Sequence, residues 1–144
     1  MRFWDSSALV PLLVDEVASA GARALLDADH DVAAAWTTEI ECASAVARLL
    51  REDRLTPDSE DAVLSKLART ARRWMVAEPT ETLRRGALRL VRVHNLRAAD
   101  ALQLAAALTF AEGHPASLPL VSLDDRLVDA ARREGFPVVV PRAD

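Results

Sequence analysis

Five short apolar runs, set between longer segments of helical pattern, constrain this chain more than any other feature. They are Arg2-Phe3-Trp4, Val32-Ala33-Ala34-Ala35-Trp36, Met75-Val76-Ala77, Leu118-Pro119-Leu120-Val121-Ser122 and Val138-Val139-Val140. Strands that alternate with helices predict an α/β fold with a central parallel β-sheet flanked by α-helices on both faces, because a crossover helix lays each strand parallel to the last. In such open sheets ligands bind outside the carboxyl ends of the strands. Polar residues that directly follow an apolar run therefore lead the search for a site.

The segments between the runs read as helices. Residues 7 to 14 form a short one with Pro11 in its first turn, where a missing N–H costs little. Residues 16 to 28 follow, with Val17, Ala20, Ala24 and Leu25 near a 3.6-residue period. The third runs from Thr37, an available N-cap, to about Glu52, with Ile40, Ala43, Val46 and Ala47 expected in the core. Thr56-Pro57 starts the fourth, which ends near Arg73. Pro79-Thr80-Glu81 begins the fifth, ending near His94-Asn95 with Asn95 as a left-handed cap. Leu96 to Glu112 is the most apolar helix, and Leu127 to Glu134 is closed by Gly135. At 144 residues, 51% of them hydrophobic, the chain suits a single domain spanning 1–144.

Four of these elements each deliver one acid to a strand end or a helix start. Asp5 follows the first strand and Asp124 the fourth, with Asp125 adjoining it as an alternative. Glu39 and Glu41 both lie in the first turn of the third helix but point about 200° apart, so one crevice takes only one of them. Glu41, which shares its face with Ala45 and more loosely with Ser44 and Arg48, is the choice. Asp100 opens the most apolar helix, where an isolated charge is costly, and Gln103 lies one turn on.

Capping accounts for each acid singly. Together, converging carboxylates would repel one another unless a divalent cation joined them. Oxygen ligands suit Mg²⁺ or Mn²⁺. His30, His94 and His114 lack zinc spacing, and Asp27, Asp29 and Asp31 lack the Gly and terminal Glu of a calcium loop. The lone Cys42 reads as a small buried hydrophobe.

Formal net charge is -4, which argues against a coat of basic surface. Lys66 is the one lysine among 18 basic residues, and arginine is the better partner for phosphate. Arg84, Arg85, Arg89 and Arg92 form a loose stripe read as a solvent-exposed face. Arg72 and Arg73 add charge beside Trp74. No apolar run approaches the roughly 18 residues that span a bilayer, and a signal-peptide pattern is missing, so a cytoplasmic location is expected.

At its acids the chain resembles the PIN-domain family, specifically the VapC-type ribonuclease toxins of toxin-antitoxin pairs. The matching pieces are Trp4-Asp5-Ser6-Ser7-Ala8-Leu9-Val10, Glu41-Cys42-Ala43-Ser44-Ala45 with Arg48, Leu96-Arg97-Ala98-Ala99-Asp100-Ala101-Leu102-Gln103-Leu104-Ala105, and Val121-Ser122-Leu123-Asp124-Asp125-Arg126-Leu127. They recur in family order over essentially the whole chain. The resemblance implies a PIN-like fold and Mg²⁺- or Mn²⁺-dependent cleavage of single-stranded or looped RNA, leaving a 5′-phosphate and a 3′-hydroxyl. It implies Asp5 and Asp100 as principal metal ligands, with Glu41 completing the coordination or holding metal-bound water, Asp124 positioning water or assisting a second metal, and Ser7 supporting Asp5. It further implies a VapB-type antitoxin that covers the groove, and a homodimer. A receiver-type signalling domain would need an acidic pair after the first strand and a late lysine, and neither is present. A dehalogenase-like phosphatase would need an Asp where Ser7 stands. A catalytically silent PIN-like binding protein is the remaining alternative.

Overall fold

A computed structural model of the chain describes residues 1–142. Each apolar run becomes a strand: β1 (Arg2–Trp4), β2 (Val32–Ala35), β3 (Met75–Ala77), β4 (Leu120–Val121) and β5 (Val138–Val139). All four pairings are parallel, and the strand order is β3-β2-β1-β4-β5. The chain builds outward from β1 in one direction and then returns to build in the other. The order reverses between β1 and β4, which is where doubly wound sheets open a crevice.

Side chains alternate across the sheet with period two. Phe3 of β1 and Leu120 of β4 point to one face, where they meet α5 (Glu81–Val93), α6 (Ala98–Ala111) and α7 (Asp125–Arg133). Trp4 and Val121 point to the other, against α1 (Ser6–Leu13), α2 (Ser19–Ala28), α3 (Thr38–Arg51) and α4 (Pro57–Ala71). Helices thus cover both faces, and α6, apolar nearly all round, is sunk deepest against the sheet.

Several local expectations differ from what is observed. Pro11 lies inside α1, six residues in, not in the first turn; its carbonyl accepts a hydrogen bond from the Ser19 hydroxyl at 2.7 Å. The same hydroxyl accepts from the Glu16 amide at 2.8 Å, which pins residues 14–18 as a loop and delays α2 to Ser19. Val17 is consequently 83% exposed, and α2 packs through Ala22, Leu25 and Leu26 instead. Ile40 is also exposed, because α3 meets the core through Thr38, Cys42, Val46 and Leu49, and a residue two positions from both Thr38 and Cys42 faces away. Asn95 is not left-handed. The chain leaves α5 extended at His94, while Gly135, with φ +94°, does close α7.

At that exit an ion cluster binds α5 to the end of α7. Arg89 grips Glu134 through two bonds of 2.6 and 3.1 Å, and the His94 Nε2 meets the same carboxylate at 2.7 Å. The Arg89 guanidinium holds the Glu134 carboxyl below its usual range, with His94 assisting. A lowered folded pKa contributes stability that is present above the unfolded value and lost as pH falls through the folded one. Glu134→Gln is therefore expected to cost up to about 1 kcal/mol near neutral pH, a difference from the parent that vanishes in acid, as read by urea unfolding across pH.

Candidate metal centre at the switch point of the sheet

The carboxyl ends of β1 and β4 flank the reversal of strand order, and an acid follows each. Asp5 caps α1 by accepting from the Ser7 amide at 3.2 Å, and Asp124 caps α7 by accepting from the Leu127 amide at 2.9 Å. Capping and placement in the crevice thus coexist. Asp125, in the first turn of α7, is exposed, so Asp124 is the acid at the strand end.

Asp5 is only 3% exposed. Its Oδ2 accepts from the Ser7 amide, the Ser7 hydroxyl and, at 3.0 Å, the Ser122 hydroxyl. These donors fix the carboxylate and leave Oδ1 turned toward Ser6, 3.4 Å away. The support expected of Ser7 is present. Its oxygen also accepts from the Leu123 amide at 2.8 Å, tying the first turn of α1 to the turn after β4. Burial pushes the Asp5 carboxyl up despite these hydrogen bonds, and the charge of Glu41 adds to the shift.

Glu41 reaches the crevice from α3. Its Oε2 accepts from the Ser6 hydroxyl at 3.0 Å, and its Oε1 from the Thr37 hydroxyl at 2.7 Å and the Gln103 amide at 3.0 Å. Thr37 therefore holds a site carboxylate and makes no side-chain cap bond to α3. Glu39 is exposed and has no such partners among the described residues. Gln103, completely buried on α6, accepts from the Thr38 hydroxyl at 3.2 Å while its NH₂ serves Glu41. Reversing that amide would set oxygen against carboxylate. Gln103→Leu leaves Thr38 and Glu41 each short of a partner, and is expected to lower stability by about 1–3 kcal/mol in urea unfolding.

Asp100 sits at the third position of α6, accepting from the Arg97 amide at 3.3 Å. Burial raises its carboxyl first, then the charge of Asp124, with a smaller contribution from Asp5. Asp100 is thus electrostatically linked to both strand-end acids. Among the described residues no three acidic, histidine or cysteine side chains stand close enough together, as placed, to enclose an ion. The donor set nevertheless fits a hard divalent cation in its chemistry: carboxylate oxygens backed by hydroxyls and an amide, with no histidine or thiolate taking part. Cys42, buried behind Asp5 and Glu41, has its thiol pushed up to about 12, mainly by desolvation and then by those two charges. It is not a nucleophile near neutral pH.

Residues 2–133 match the PIN domain family model. The chain belongs to the PIN-domain family. This PIN domain is 34% identical over 149 aligned residues to Ribonuclease VapC45 and to Ribonuclease VapC49 of Mycobacterium tuberculosis, with 99% of this chain and 96% of each relative covered. Among solved structures, the fold is similar to that of FitAB bound to a DNA fragment, with a TM-score of 0.68, 18% identity, and 98% and 95% of the two chains covered. It is likewise similar to a toxin-antitoxin complex from Klebsiella pneumoniae, with a TM-score of 0.63, 14% identity and full coverage of both chains. At these identities the structural likeness speaks for the PIN fold alone.

The sequence reading named the four carboxylates but not the hydroxyls of Ser6, Thr37, Thr38 and Ser122, which bond to Asp5, Glu41 and Gln103. Ser6 and Ser122 lie within two residues of Asp5 and Asp124, and that adjacency was the available signal.

Proposed function

We propose that the chain is an endoribonuclease, the toxin of a toxin-antitoxin pair, which hydrolyses RNA phosphodiester bonds with Mg²⁺ or Mn²⁺ held by Asp5, Glu41, Asp100 and Asp124. The observation that carries this reading is the buried Asp5 at the switch point, coupled through Ser6 to Glu41 and electrostatically to Asp100. Identity to curated ribonucleases over nearly the full chain supports the choice of RNA.

When bound, such a cation supplies Lewis acidity to a phosphoryl group and acidifies water. The protein's part is orientation. Ser7 and Ser122 fix Asp5 so that Oδ1 faces the crevice, Gln103 and Thr37 hold Glu41 from behind, and the Ser6 hydroxyl stands between the two acids. Asp124 keeps one oxygen on its helix cap, and Asp100 keeps one on the Arg97 amide. The remaining oxygen of each accepts no hydrogen bond among the described residues and is available to a ligand. Cytoplasmic action, an antitoxin partner and self-association belong to the same reading. No helix among the described residues is long and apolar enough to cross a membrane.

The test is incubation of purified, antitoxin-free protein with end-labelled mixed RNA in Mg²⁺, Mn²⁺ or EDTA. Fragments that appear with metal and are absent in EDTA are expected. RNA left intact under all three conditions would favour a catalytically silent binding protein.

A further inference from the structure

Beside the acids lies an apolar hollow of about 250 Å³, open to solvent and walled by Trp36, Thr37, Pro79, Leu83 and Leu102, with Glu81 and Arg84 at its rim. Trp36, the residue that follows β2, is 52% exposed. An indole left half in water at the mouth of a hollow is unusual for so apolar a side chain. Two wall residues join the hollow to the acid site. Thr37 lines it and donates to the Glu41 carboxylate at 2.7 Å; Leu102 lines it and precedes Gln103, which donates to the same carboxylate.

We infer that this hollow is a stacking pocket for one unpaired base of the RNA strand whose phosphate lies at the acids, an inference that rests on the ribonuclease reading above. Proteins read single-stranded RNA by splaying bases onto aromatic faces and bonding their edges. Trp36 provides the face, and the apolar walls of Leu83, Pro79 and Leu102 complete the slot. Arg84 is held at the rim by Glu81, through its Nε at 2.8 Å and Nη2 at 2.9 Å. Its Nη1 makes no bond among the described residues and is free for a base edge. A larger hollow, lined by Asp15, Glu16, Arg54 and Leu123 among others, sets two carboxylates against one guanidinium and has no aromatic side chain in its lining. Of these two hollows, only the one at Trp36 offers an aromatic face to a base. Duplex RNA keeps its bases stacked inside the helix and cannot use the slot, so the pocket makes the site selective for unpaired RNA.

The test is fluorescence anisotropy of a labelled single-stranded RNA oligonucleotide, and of its duplex, in Mg²⁺ with the Asp100→Asn protein as the non-cleaving parent. Adding Trp36→Ala is expected to weaken single-strand binding roughly tenfold or more, with duplex binding unchanged and Trp36→Phe restoring much of the loss. Of the three tryptophans Trp4 is fully buried and Trp74 partly so, so quenching of indole emission by the single strand should disappear in Trp36→Phe. Equal binding by parent and Trp36→Ala would overturn the pocket. So would weakening of single strand and duplex alike, or a Trp36→Ala protein whose elution shifts to a smaller species, which would mark the hollow as a protein contact. Metal-dependent cleavage by the unmodified chain separates the two claims. If it cuts RNA and Trp36 proves indifferent, only the pocket falls; if it neither cuts nor binds RNA, both fall.

Discussion

Asp5→Asn is expected to reduce RNA cleavage by more than about a hundredfold, since even the supporting partners of metal ligands contribute 10- to 100-fold, while leaving the fold intact. Asparagine has the same shape and caps a helix as well as aspartate. Its side-chain oxygen can accept from the Ser7 amide and the Ser7 and Ser122 hydroxyls that now hold Oδ2. What disappears is a charge that is 3% exposed and whose burial raises its pKa. Because that shift favours the neutral acid, the ionised form opposes folding at neutral pH. The Tm of Asp5→Asn in EDTA should therefore equal or exceed the parent's, measured by circular dichroism. A variant that loses activity and melts well below the parent would place Asp5 in the framework instead.

Trp4→Ala is expected to have the largest effect on stability. Trp4 is the largest fully buried side chain, and it is packed among Ala8, Leu9, Cys42 and Val121 on the α1–α4 face of the sheet. The strand residues sharing that face, Val32 and Val121, are too short to reach into the space an alanine would leave. Truncation of a buried Trp costs about 3–5 kcal/mol, a large part of the roughly 5–15 kcal/mol that holds a domain folded. Trp4→Phe should cost much less than Trp4→Ala. Among the described residues the indole N–H has no acceptor, so removing it relieves a buried unpaired donor and offsets part of the lost contact. Urea midpoints of the two variants give the comparison. Equal losses for Ala and Phe would show that packing at this position is not what Trp4 provides.

The parallel sheet was legible because Phe3-Trp4, Val32 to Ala35 and Leu120-Val121 are continuous apolar runs, the pattern of strands covered on both faces. The positions of the four carboxylates were legible because each follows a strand or opens a helix; their joint action as a site remains the proposal. The choice of Glu41 over Glu39 followed from helix geometry, and the Ser6, Thr37 and Gln103 bonds agree with it. The errors arose where a local pattern met a tertiary partner. Val17 fits a helical period, but the Ser19 hydroxyl bonds that pin the loop at residues 14–18 leave it in solvent. Ile40 looked like core, yet the row from Thr38 through Cys42 to Val46 took the sheet-facing side. Asn95 suits a left-handed cap, but the chain leaves α5 extended at His94, whose ring meets Glu134, forty residues on. No local window contains such partners.

We have proposed that four particular acids act together on RNA. The direct measurement is cleavage of single-stranded RNA in Mg²⁺ by the parent, by Asp5→Asn, Glu41→Gln, Asp100→Asn and Asp124→Asn, and by two neighbouring controls, Glu39→Gln and Asp125→Asn. Cleavage is expected to collapse in all four site variants and to persist in both controls. Cleavage that survives in the site variants, or falls equally in the controls, would contradict the proposal.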